Sequence, residues 1–291
     1  MTGHVARRLA GTLMTLLAVS FIVFAALATA PGDAALALVG DSASPAQLEA
    51  LRVQMGLDDP LLARYAGFLR GLILRGDLGR SLVKDQPVAG LLLERLPYTL
   101  VLALTAIGLA TLIGALVGTA AALRAGSALD TALMGGTALG LAVPTFWSAL
   151  LFIMLFSLRL RWLPVVGAGS PAHLVLPALT LTLPTAALMA RLMRASLLDV
   201  MGADYVRTAR AKGLGRRQVL TRHVLRNSLI PITTVLGMHF AHLLGGSFIV
   251  ETVFGWPGLG RLIVYAIFDR DYPVVMGAAL LIATIYLVLN F

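Results

Sequence analysis

Few residues in this chain carry reactive chemistry. There is no cysteine, which removes disulfides, thiolate metal sites and thiol nucleophiles. Its lysines are Lys84 and Lys212, and neither stands in a Gly-Lys-Ser/Thr context, so the chain has no P-loop. His239 and His242 lie at i, i+3 on one helical face. That spacing suits a metal or a proton relay, and equally two rings that bond across helices or line a watery path. No Asp, Glu or Cys in the same apolar run completes a ligand set, so no metal is expected. Phe146 and Trp147 follow Pro144 and would contact a bound molecule or simply pack. Glu251 precedes the turn "FGWPGLG"; it would pair with Arg261 or Arg270, or act with Trp256 and Arg261 to close one end of the molecule. The densest feature is the stretch "ADYVRTARAKGLGRRQVLTRHVLRNSLIP", residues 203–231, with seven Arg and Lys residues and no long apolar run.

These residues are embedded in an apolar chain. Of 291 residues 58% are hydrophobic and 13% charged, against roughly 25% charged in soluble domains. Uncharged runs cover 9–32, 96–123, 131–158, 162–190, 227–250 and 272–291. Each is long enough to cross a hydrocarbon core of about 30 Å as a helix, the fold that satisfies its own backbone in lipid. The expected fold is an all-α integral membrane protein with six transmembrane helices, Pro144 and Pro184 kinking theirs. The first run mimics a signal peptide at Ala28-Thr29-Ala30, but its apolar core exceeds the usual 7–15 residues or so, so it reads as an uncleaved anchor.

Charge placement sets an orientation. With the N-terminus in the cytoplasm, the inner segments hold twelve basic and three acidic residues, and the outer ones eleven of each. The whole net charge of +9 then lies inside, as the positive-inside rule expects of a plasma-membrane protein. The high charge therefore needs no nucleic acid to explain it.

Local patterns fill the connections. Between the first two spans, residues 33–95 form an extracytoplasmic helical segment. Ser44, Pro45 and Gln47 make a capping box, with Gly56 as the stop. A second helix starts at Asp59-Pro60, with Leu61, Leu62, Tyr65, Phe68, Leu69 and Leu72 on one face. In the basic segment a break at Gly202 precedes a short helix, Asp204 to Lys212, capped by Asp204 and ended by Gly213 at C′. The small residues Ala209, Ala211 and Gly213 would let another backbone approach. A further helix from Arg216 would lie along the inner headgroups until Pro231 opens the fifth span.

"DYVRTARAKG" followed by "RRQVLTRHVLRNSLIPI" resembles the coupling loop, or EAA motif, of ABC importer permeases, here that of the dipeptide/oligopeptide/nickel family. The resemblance runs along nearly the whole chain through "APGD", "MGLDDPLLARY", "GDLGRSL", "LLLERLPYTL", "RWLPVVGAGS", "LPALTL", "MARLMRAS", "GGSFIVETVFGWPGLGRL" and "RDYP". Arg207-Thr208-Ala209 stands where Glu-Ala-Ala is usual, while Gly213 is kept; the later Leu-Pro pair is Leu225-Arg226, with proline at Pro231.

The resemblance implies the type I ABC importer permease fold. It divides the chain into residues 1–32 (tail and first helix), 33–95 (outer segment) and 96–291 (core permease, with coupling loop 199–227). It assigns ATPase coupling to Asp204, Tyr205, Val206, Arg207, Thr208, Ala209, Arg210, Ala211, Lys212 and Gly213. Six spans are half a pore, so a second homologous permease, two cytoplasmic ATP-binding subunits and an extracytoplasmic substrate-binding protein are implied, with ATP and Mg2+ on the ATPases and no cofactor on this chain. Di- and oligopeptides are the expected cargo, with nickel, metal chelates and glutathione as alternatives. An ion-coupled transporter would typically carry mid-membrane carboxylates and inverted repeats; no carboxylate lies inside any of the runs and no repeat is visible. Nothing supports a membrane enzyme.

Overall fold

The structure is a computed structural model describing residues 2–29, 44–54 and 58–290. The Gly56 stop and the "APGD" stretch lie outside the described residues. By internal contacts the chain forms two units, residues 1–99 with 257–291, and residues 100–256.

In the first unit α1 (Thr2–Thr29) lies along α12 (Tyr272–Asn290) and carries α3 (Leu61–Arg75). The helix α2 (Pro45–Gln54) starts with the expected capping box: the Ser44 N–H donates to Gln47 Oε1 at 3.0 Å and the Gln47 N–H to Ser44 Oγ at 3.3 Å. In α3 the Tyr65 hydroxyl donates to the Leu17 carbonyl at 3.1 Å, and its ring meets Phe21 edge-on with centroids 5.2 Å apart. The anticipated apolar face thus finds its partner on α1, although Leu62 stays exposed. Gly76, at φ +63°, ends α3 in the left-handed conformation that costs glycine least.

The helix α4 (Val88–Leu123) begins eight residues before the uncharged run, carrying Glu94, Arg95 and Pro97 into the helix. Val88, Leu91 and Leu92 pack with α11 (Leu259–Phe268) and α12 to form this unit's core. The loop between α3 and α4 is held by Asp271, which accepts the Ser81 hydroxyl and the Leu82 N–H.

The second unit contains the rest of α4, α5 (Ala128–Ala142), α6 (Thr145–Phe152, ending in a wide π turn to Arg159), α7 (Ala172–Gly202), α8 (Asp204–Ala211), α9 (Arg216–Gly246, with a π turn over Leu220–Leu225) and α10 (Phe248–Val253). Two expectations need correction. Pro144 does not kink its helix; it ends one. Val143, restricted by the following proline, takes ψ 122°, and Pro144 takes ψ 137°. The chain bends by 100° and restarts at Thr145. Pro184, by contrast, stays inside the continuous α7. The second correction concerns α9, which runs unbroken from Arg216 past Pro231, so no separate surface helix precedes the fifth span.

Among the described residues five helices are long and apolar enough to cross a membrane, and the bent α5–α6 pair makes a sixth if it counts as one span. The helix α7 is the hub of this unit. Gly114 and Gly118 of α4 face it so closely that a Cβ at Gly118 would stand 2.4 Å from the Ala190 carbonyl oxygen, and one at Gly114 2.4 Å from Met189 Cβ. Small residues at a helix crossing permit that approach where lipid offers no hydrophobic drive.

Candidate functional site

The basic segment folds as a short helix set on two longer ones. The chain leaves α7 at Gly202, and Ala203, extended at ψ 148°, occupies the position before α8. Asp204 therefore sits in the first turn and is not the cap. Its charge favours the positive end of the helix dipole, and it pairs with Arg207 at 3.6 Å on the surface. At the other end Gly213 takes φ +81°, and its N–H donates to the Arg210 carbonyl at 3.0 Å. That end matches the expected stop.

The two faces of α8 differ sharply. Val206 is fully buried and Ala209 is 7% exposed, both in a core with Met193 and Leu197 of α7 and Val219, Val224 and Ile232 of α9. Tyr205, Arg207, Thr208, Arg210, Ala211, Lys212 and Gly213 are exposed. Ala209 thus serves internal packing, which corrects the expectation that it offers a surface to another backbone; Ala211 and Gly213 remain outward.

Polar bonds fasten this cluster. Asn227 Nδ2 donates to the Tyr205 hydroxyl at 3.1 Å and to the His223 carbonyl at 2.8 Å. Ser196 Oγ of α7 donates to the Ser228 carbonyl of α9 at 2.9 Å. A step further into the bundle, Arg194 donates through Nε and Nη2 to the two oxygens of Asp130 at 2.6 and 2.7 Å. The Gly126 N–H also donates to Asp130, at 3.0 Å, and Arg191 Nε donates to Thr137 Oγ1 at 3.0 Å. Two arginines of α7 are therefore bound to α5. In the sequence these charges register only as inner-loop charge, because their pairing depends on how α5 packs against α7.

The other candidates separate into groups. The His239 and His242 rings lie 6.3 Å apart between centroids and line a cavity of about 260 Å³ with Thr145, Pro184 and Thr185. Among the described residues no cluster of three potential ligands occurs. Phe146 and Trp147 are half-exposed on α6 and do not line that cavity. Glu251 is fully buried and accepts the Ser247 hydroxyl at 2.8 Å, while its own carbonyl accepts the Trp256 N–H at 2.8 Å. Trp256 is buried within the same unit. Arg261 belongs to α11 of the other unit, its guanidinium 5.3 Å from the Tyr265 ring centre. Ser247 is a partner of Glu251 that sequence reasoning misses; it lies one helical turn before it.

A bundle of apolar helices interrupted by a short exposed basic helix is the architecture of type I ABC importer permeases. Two solved structures share the fold. One is a crystal structure of an amino acid ABC transporter with histidines (TM-score 0.52, 18% identity, 69% of this chain and 88% of that one). The other is an inward-facing structure of the MetNI methionine ABC transporter (TM-score 0.56, 20% identity, 69% and 92%).

The chain belongs to the family of binding-protein-dependent transport system inner membrane components, whose profile matches residues 94–291, with the family's N-terminal membrane component matching residues 1–103. It is a permease subunit of an ABC importer. Relatives include a glutathione transport system permease protein of Escherichia coli O6:H1, 42% identical over 290 residues (100% of this chain, 94% of the relative). A Brucella abortus protein named as a putative peptide transport system permease is 40% identical over 298 residues (100% and 95%).

Proposed function

We propose that the exposed face of α8 receives the ATP-driven movement of a partner ATPase and passes it to the spans, so that the chain forms half of an import pathway for short peptides. The observation that carries this reading is the opposition of faces on α8. Val206 and Ala209 are locked into α7 and α9, while Tyr205, Arg207, Thr208 and Ala211 face outward. A push on the outer face cannot slide α8 over its bed without moving both long helices, because close-packed cores transmit displacement.

The N-terminus lies in the cytoplasm on this account, with residues 33–95 outside and residues 96–291, coupling loop 199–227 included, forming the core permease. A second homologous permease completes the pore. Two ATP-binding subunits hold ATP and Mg2+, an extracytoplasmic binding protein delivers the cargo, and this chain itself performs no catalysis. His239 and His242, with the half-exposed Phe146 and Trp147, line the path. Glu251 and Trp256 contribute to the outer gate; transport unchanged in Glu251→Gln would remove that residue from it.

Peptide is favoured as cargo because relatives covering the whole chain are named for peptide and for glutathione, itself a tripeptide. The test is uptake into vesicles by the complete transporter. Labelled dipeptide, glutathione and nickel are compared with the wild type and with Ala211→Trp. Peptide or glutathione uptake that Ala211→Trp abolishes, with the ATPases still able to hydrolyse ATP, supports the reading. Uptake of nickel alone contradicts the cargo assignment, and full uptake by Ala211→Trp contradicts the docking face.

A further inference from the structure

Beside α8 lies a cavity of about 600 Å³ that shares only Arg210 with the coupling residues. It is partly open to solvent, and part of its wall is apolar: Ala122 and Leu123 at the end of α4, Leu198 of α7, and Leu214, Leu220 and Val224 leading into α9. Arg210 and Arg216 stand at its edge, and no acidic residue lines it. Among the described residues neither guanidinium forms an ion pair. The apolar part of the lining offers water none of the several polar partners it needs. Two unpaired guanidiniums, in contrast, suit a phosphate, which they can grip through paired N–H donors. A ligand that satisfies both requirements has an anionic head and a hydrocarbon tail.

We propose that this cavity binds an anionic phospholipid, with the phosphate on Arg210 and Arg216 and an acyl chain against the apolar wall. The proposal rests on the reading that places the basic segment at the cytoplasmic leaflet, where anionic lipid is concentrated and basic pockets between helices collect it. The lipid would wedge the ends of α4 and α7 apart from the start of α9 and so fix the bed on which α8 rests. The phosphate chemistry is shared with free phosphate esters, and the experiment separates the two sources.

The complete transporter, stripped of lipid in detergent, is exposed to dioleoylphosphatidylglycerol, dioleoylphosphatidylcholine or glycerol phosphate. Bound lipid is counted by native mass spectrometry and the shift in melting temperature is recorded. The wild type should retain phosphatidylglycerol and melt higher with it. Arg216→Gln should bind it about tenfold or more weakly, the effect of losing hydrogen bonds to a charged group. Ala125→Trp, which fills the cavity without altering charge, should lose it as well. Equal retention of phosphatidylcholine, or unchanged phosphatidylglycerol binding in Ala125→Trp, would overturn the site. A matching shift with glycerol phosphate would make it a free-anion site and overturn the lipid. If a variant does not assemble, the three wild-type probes still decide. Cross-linking of α8 to the ATPase is scored separately: its loss with lipid binding intact rejects the coupling reading alone, and the reverse rejects the lipid alone.

Discussion

At the scale of single residues, one ion pair and one buried side chain anchor the region around α8. Asp130 accepts both guanidinium donors of Arg194 and is nearly inaccessible to solvent. Losing either partner strands the other, which is why pairs of this kind couple. Asp130→Asn and Arg194→Gln should each lower the melting temperature of the transporter, and the double variant should lose less than the two losses added. Strict additivity in that cycle would mean the pair contributes nothing. Val206 is the second anchor. With about 0.8 kcal/mol lost per buried methylene, Val206→Ala should cost about 1.5 kcal/mol and reduce transport through a loosened α8, whereas Thr208→Ala on the exposed face should leave stability unchanged. Melting curves and uptake on the same preparations check both.

At the scale of elements, contact geometry decides which small residues matter. Gly118→Ala would press a Cβ against the backbone of α7 and should destabilise by about 1–3 kcal/mol, as overpacking does. At Gly135 an added Cβ would meet nothing within 4 Å, so alanine should be accepted there without loss and gain up to about 1 kcal/mol in helix propensity. Thermal melting of the two variants side by side distinguishes a crossing point from a tolerant one. Gly118 closes a Gly-x-x-x-Gly pattern with Gly114, the signature of a close helix crossing, and Gly135 has no glycine at that spacing; which helix Gly118 meets is told only by the packing. The runs themselves were legible: length and hydropathy alone placed the long helices. Pro144 and Pro184 look equivalent along the chain, yet one ends a helix and the other lies within one. Likewise, the helix start at Arg216 after Gly215 was legible, but its unbroken continuation past Pro231 was not, because whether a proline interrupts a membrane helix depends on the neighbours around it.

At the scale of the whole molecule, identity was legible because many short motifs occur in family order. The short basic helix and its Gly213 stop were readable from composition and turn chemistry. The distribution of its faces was not. Ala209 looks like a surface residue in a basic segment, and only the packing of α8 on α7 and α9 turns it inward. That distinction gives the most direct test of the central claim, that the outward face of α8 meets an ATPase. The chain contains no cysteine, so single cysteines placed at Ala211 and at Ala209 can each be paired with one in the docking cleft of the ATPase. Disulfide formation in membranes is then measured with and without ATP. The account predicts an efficient, nucleotide-sensitive cross-link from Ala211 and none from Ala209. Cross-linking from neither position, with both proteins present and folded, or from Ala209 in preference to Ala211, would contradict it.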